Sequence, residues 1–247
     1  MASPATSLSP PTQPSTPSSQ PQAQQQQRAL LLTTASALGI SAHSFIHSYT
    51  LASSLFAVTI ATPGGGPLHF PETDANSRRW LDDFLAKPAA VPVAVESLDL
   101  TLFAALLIPG GAGTITDLPH NAAVAHLAMA FDRDKKLICA VGLGVSVLCA
   151  SALLGNKGAD WQFAGRCMTA PSNVELARTT LLAEQPLLLE DFLRDNGACY
   201  SAAKSDSVHV VIDNNLITAQ NDASTLSAVQ NLILLGNNSR RERKAAA

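Results

Sequence analysis

Ile138-Cys139-Ala140-Val141-Gly142-Leu143-Gly144-Val145 is an apolar run broken by a glycine that recurs two residues later. The apolar character continues to Gly155, about the length at which a membrane span becomes a candidate. Gly142 and Gly144 inside it, with Ser146 and Ser151 beyond, instead predict a buried parallel strand over Leu137–Val141 that turns sharply into a helix. In open parallel sheets ligands collect beyond the carboxyl ends of the strands, and a strand that breaks abruptly into a helix there is the usual seat of a nucleophile. The residue at the tip of such an elbow is held in a backbone conformation that costs a non-glycine residue about 1–3 kcal/mol. Here the tip is Gly142, which reaches positive φ without a Cβ penalty. The elbow's backbone is therefore expected without its nucleophile.

On either side of this run, short apolar strands alternate with amphipathic stretches. Strands are predicted over Ala29–Thr34, Phe56–Ala61, Phe103–Ile108 and Leu137–Val141, with helices over about Ser41–Ser54, Ser77–Leu85 and Asn121–Phe131 between them. That alternation predicts an α/β, doubly wound, mostly parallel sheet with helices on both faces. The later half is less regular. Ser172-Asn173-Val174-Glu175 has capping-box spacing and marks a helix start. Val208–Ile212 and Leu216–Thr218 form a hairpin across Asp213-Asn214-Asn215, and a final helix over about Ala223–Leu235 packs a stripe of Leu226, Val229, Ile233 and Leu234 on the sheet.

The chain has 247 residues, 47% of them hydrophobic, which suits one substantial domain over 28–238. Residues 1–27 are nearly all Pro, Ser, Thr, Gln and Ala and are predicted to be disordered. The basic run within 239–247 reads as a second disordered tail, either solvated or touching an acidic partner or anionic lipid. A net charge of -3 without a basic stripe disfavours direct nucleic-acid binding. The start lacks the basic and apolar regions of a secretory signal. Cys139, Cys149, Cys167 and Cys199 are widely spaced, form no CxxC pair and sit mostly among apolar neighbours, so they read as buried reduced thiols in a reducing compartment.

Each candidate site has a structural reading beside it. Cys139 lies within the strand and Cys149 on the helix that follows, so both are expected to be packing residues. His43 and His47 stand one helical turn apart, but no third ligand is visible and no metal is expected. Gly64-Gly65-Gly66 lacks the lysine and serine of a phosphate loop, and no cofactor is expected. The amides of Leu143 and Gly144 open a helix and would attract a small carboxylate, or else an ordered water.

Val141-Gly142-Leu143-Gly144 stands where the PfpI/ThiJ superfamily, which includes the class I glutamine amidotransferase-like domains, has Val-Cys-His-Gly. Ala61–Gly65, Leu107–Gly111, Thr169–Asn173 and Leu216–Asn221 resemble that family's other loop signatures in the same order, over about residues 28–238. The resemblance implies the flavodoxin-like fold of the class I glutamine amidotransferase-like domains. It also implies a catalytic cysteine and histidine that this chain replaces with Gly142 and Leu143, and a supporting glutamate missing from Ser36–Ser44. No catalytic residue carries over, and Gly142, Leu143 and Gly144 form a degenerate elbow. Within the family, Ile138–Gly142 and Val229–Leu232 resemble the pattern of one group of members, and that resemblance implies a pseudoenzyme that is a homo-oligomeric, cytoplasmic, early-endosome-associated subunit of a FERRY-like complex supporting messenger RNA transport, without membrane insertion. A cysteine-dependent hydrolase or deglycase of the PfpI type, or a small-carboxylate sensor, stands as the alternative.

Overall fold

The computed structural model describes residues 26–71, 73–155, 161–179 and 181–246. Apart from residues 26 and 27, the segment predicted to be disordered at the start lies outside them. The chain runs β1 (Arg28–Leu32), α1 (Ala42–Ala52), β2 (Ala57–Thr62), α2 (Ala75–Leu85), β3 (Val93–Ala94), β4 (Phe103–Ile108), α3 (Thr114–Asp117), α4 (Ala122–Arg133), β5 (Leu137–Val141), α5 (Ser146–Leu153) and β6 (Cys167–Met168). It continues through α6 (Asn173–Leu176), α7 (Leu181–Glu184), α8 (Leu189–Asp195), β7 (Cys199–Tyr200), β8 (Val210–Asp213), β9 (Leu216–Ala219) and α9 (Thr225–Ala246).

Seven strands form one sheet in the order β3-β2-β1-β4-β5-β9-β8, parallel except where β8 returns antiparallel to β9. The chain leaves β1 toward β2 and β3, then comes back to β4 on β1's other side. That reversal opens the crevice in which such sheets place ligands. Register explains why the central strands read as continuous apolar runs. Leu30, Leu106, Ile138 and Leu216 align across four strands and point to one face, where Leu127, Phe131, Leu148 and Leu193 cover them. Leu31, Leu107, Cys139 and Ile217 align one step on and point to the other, under Phe45, Phe84, Val229 and Leu232. A one-residue slip would exchange the two sets. Helices lie on both faces, as the alternation predicts.

Local chemistry sets the boundaries. Ser41 caps α1, its Oγ accepting from the Ser44 amide at 3.2 Å. Asp74 and Asn121 cap α2 and α4 in the same way. Asn214 turns the β8–β9 hairpin at φ +55. An ion cluster ties the second half together. Arg166 Nη1 meets Asp132 at 2.6 Å, its Nε meets Asp213 at 3.0 Å, and Asn215 Nδ2 donates to the Lys136 carbonyl at 2.9 Å.

Three expectations change. The last helix runs to Ala246, so residues 239–246, read as a disordered tail, continue α9. Of its predicted stripe Val229 is buried and Ile233 packs against the core, whereas Leu226 and Leu234 are exposed and Ala228 and Leu232 are buried in their place, because the helix is rotated slightly from the predicted face. At Gly236 it passes so close to Phe56 that a Cβ there would stand 2.9 Å from the ring. The third change concerns Cys167 and Cys199, which are exposed rather than buried and face each other across the small β6–β7 sheet. Among the described residues no helix is long and apolar enough to cross a membrane.

Candidate functional site

The elbow stands at the carboxyl end of β5. Gly142 has φ +54, the strained left-handed value that a nucleophile's residue would have to hold, and the chain then makes a 3-10 turn over Gly142–Val145 into α5. The tip is not crowded. A Cβ built on Gly142 meets nothing nearer than Gly110 Cα at 3.9 Å and Asn221 Cα at 4.0 Å. Gly144 is the opposite case, since a Cβ there would lie 2.7 Å from the Ile108 carbonyl oxygen and 2.9 Å from that of Pro109. The first glycine leaves a side-chain site unfilled. The second lets α5 start against the end of β4.

Leu143, where the resemblance implies a histidine, is 6% exposed and belongs to the apolar cluster that includes Ile108. Its side chain completes the core and carries no proton. Cys139 and Cys149 are wholly buried, as the sequence predicts, and burial pushes both thiols far above the ordinary cysteine value. Neither is poised as a thiolate.

Polar residues to which motif reading gave no role at the site stand around the elbow. Ser41 donates its amide to the Gly110 carbonyl at 2.9 Å and its hydroxyl to Asp222 Oδ2. The other oxygen of Asp222 lies 3.4 Å from a Cβ built on Gly110. Glu175, expected only to close a capping box, turns away from Ser172 instead. Its carboxylate accepts from Gln220 Nε2 at 2.7 Å, Asn221 Nδ2 at 2.8 Å and the Asp206 amide at 2.9 Å, while the Ser172 hydroxyl alone caps α6 through the Glu175 amide at 3.1 Å. Helix start and site support are thus the same residue. In the loop after β1, where the resemblance implies a glutamate, Asp117 reaches in from α3 and accepts from Thr34 Oγ1 at 2.7 Å and the Ala35 amide at 2.9 Å.

The chemistry on offer is limited. Asp222 beside Gly110, with Glu175 on Asn221, makes the mouth of the crevice acidic, which opposes the pull of the Leu143 and Gly144 amides on an anion. His43 and His47 stack edge to face with centroids 4.3 Å apart on α1, and His47 is held below the usual histidine value by burial and by His43. Among the described residues no three His, Cys, Asp or Glu side chains gather as a metal site would require. The exposed thiols are remote from the elbow. The Cys167 amide donates to Asp213, opposite Leu216 at the start of β9, whereas the elbow follows Val141, opposite Ala219 at its end.

The chain as a whole is similar to known proteins. Residues 89–233 match the DJ-1/PfpI family. A protein of Xenopus laevis named glutamine amidotransferase-like class 1 domain-containing protein 1 is 46% identical over 208 residues, 84% of this chain and 90% of the relative. The solved structure of the Rapid Encystment Protein 24 KDa of Francisella tularensis superposes with a TM-score of 0.70 at 23% identity, over 82% of this chain and 96% of that one. Glyoxalase III of Candida albicans superposes at 0.72 with 13% identity, over 84% and 96%, and at that distance it shares the fold alone. Sequence match and strand order agree: the chain belongs to the DJ-1/PfpI family.

Proposed function

We propose that this glutamine amidotransferase-like protein is a pseudoenzyme that acts by binding other proteins. Its role would be that of a homo-oligomeric subunit of a cytoplasmic, early-endosomal, FERRY-like complex supporting messenger RNA transport. The observation that carries the loss of catalysis is the unfilled tip at Gly142, with Leu143 sunk into the core where a histidine would be needed. A thiol in this family's elbow would act as a thiolate with a base beside it. Here both are gone, and the thiols buried nearest in sequence are protonated. The endosomal role is what the family resemblance implies. A net charge of -3 without a basic stripe favours a reading in which a partner subunit, and not this chain, contacts RNA.

Three measurements test this reading together. The purified chain is expected to show no hydrolysis or deglycation that depends on a cysteine, to scatter light as an oligomer at micromolar concentration, and to co-sediment from cells with early endosomes and messenger RNA. Turnover abolished by replacing a single cysteine would restore the hydrolase reading. A monomer, or a chain absent from endosomal fractions, would remove the scaffold reading. The small-carboxylate sensor gains nothing from the acidic mouth of the crevice.

A further inference from the structure

Cys167 and Cys199 lie far apart in sequence but directly opposite one another in the two-residue parallel ladder of β6 and β7, and both are exposed. Paired strands run about 4.8 Å apart, inside the Cα separation of roughly 4.4–6.8 Å that a disulfide needs. Residues in register on neighbouring strands point to the same side of the sheet, and the Cys199 Sγ lies 3.8 Å from the Gly165 carbonyl oxygen in the turn that leads into β6. The frame around them is firm. The Cys199 amide donates to the Arg166 carbonyl at 2.9 Å, the Gly165 amide to that of Gly197 at 2.8 Å, and the Cys167 amide to Asp213 at 2.9 Å. Arg166 and Asp213 are the charged groups beside the pair. Desolvation, the neighbouring thiol and Asp213 raise the Cys167 thiol while Arg166 opposes them.

We propose that Cys167 and Cys199 are a modification site: a surface dithiol that low-molecular-weight disulfides oxidise to an intramolecular disulfide. One protein thiolate attacks the reagent R–S–S–R, forming a mixed disulfide and expelling one R–S⁻. The second protein thiolate then attacks the protein sulfur of that mixed disulfide, forming the Cys167–Cys199 bond and expelling the other R–S⁻. The two protons lost by the protein end on the two released thiols; the protein gives up two electrons and the reagent accepts them. The bond would close the loop over Met168–Ala198, which carries Glu175 to Asn221 at the elbow. Oxidation at one end of the sheet would thereby staple the segment that supports the other.

The probe is oxidised glutathione, applied to the folded, full chain and read by mass. The wild type is expected to lose two hydrogens and keep no glutathione, with the Cys167 and Cys199 peptides joined until a reductant separates them. Its unfolding midpoint is expected to rise by roughly 5–10 °C on oxidation. Cys167→Ser should instead retain one glutathione on Cys199, and Cys199→Ser one on Cys167, because the resolving thiol is gone. A folded wild type that ends with glutathione on both residues, with a bond to a second copy, or with both thiols unmodified overturns the proposal without recourse to either variant.

Discussion

Gly142 and Gly144 are two residues apart, yet the backbone demands different things of them. Gly142 needs its φ of +54 and has room for a side chain; Gly144 has no room. Gly142→Ala is therefore expected to cost about 1–2 kcal/mol, the penalty of the left-handed region. Gly144→Ala must push the Ile108 and Pro109 carbonyls away and should cost about 3 kcal/mol or more. Urea unfolding of the two variants checks the order, and equal costs would mean that the space above Gly142 is not free. The tip glycine was legible in the sequence because an elbow is a local spacing of a few residues. Ser41 and Asp222 were not, since they meet only when α1 and the end of β9 are folded together across 181 positions.

Among the elements, the long apolar strands and capped helices declared themselves, with β4 and β5 found at the residues predicted. The strands β3, β6 and β7 did not, because two residues each leave no periodicity to read. The cluster of Asp132, Arg166 and Asp213 that anchors β6 to the hairpin was equally hidden, its members scattered in sequence. It has a pH signature. Desolvation opposes ionisation of Asp132, but hydrogen bonds from Gln162 and Arg166 and the Arg166 charge outweigh it and hold the carboxyl below the usual range. Asp213 is depressed likewise, desolvation being outweighed by the Cys167 amide and Arg166. A carboxyl depressed in the folded state adds stability above its unfolded pKa of about 4 and loses it as pH falls through the folded value. Urea midpoints should thus drop as pH falls below about 4. Arg166→Ala should shrink that drop and cost about 2–4 kcal/mol at neutral pH by leaving Asp132 unpaired.

Over the whole molecule, the four cysteines divide into an outer and an inner pair. A neutral alkylating reagent should therefore label two thiols in the native chain and leave two. Cys139 and Cys149 should react only as fast as the domain opens globally, which a stability of about 5–15 kcal/mol makes rare. Four thiols reacting at one rate would mean that the β5–α5 core breathes locally. The doubly wound fold was legible because its signal repeats along the chain, whereas the course of α9 beyond Leu235 was not: past that point the sequence is charged and no longer periodic. From Gly236, where the helix brushes Phe56, its axis extends for about 15 Å to Ala246. A rod of that reach behaves as a lever arm, so cargo or a fluorophore joined at its far end would tumble in step with the body, at a fixed bearing, instead of wandering on a tether.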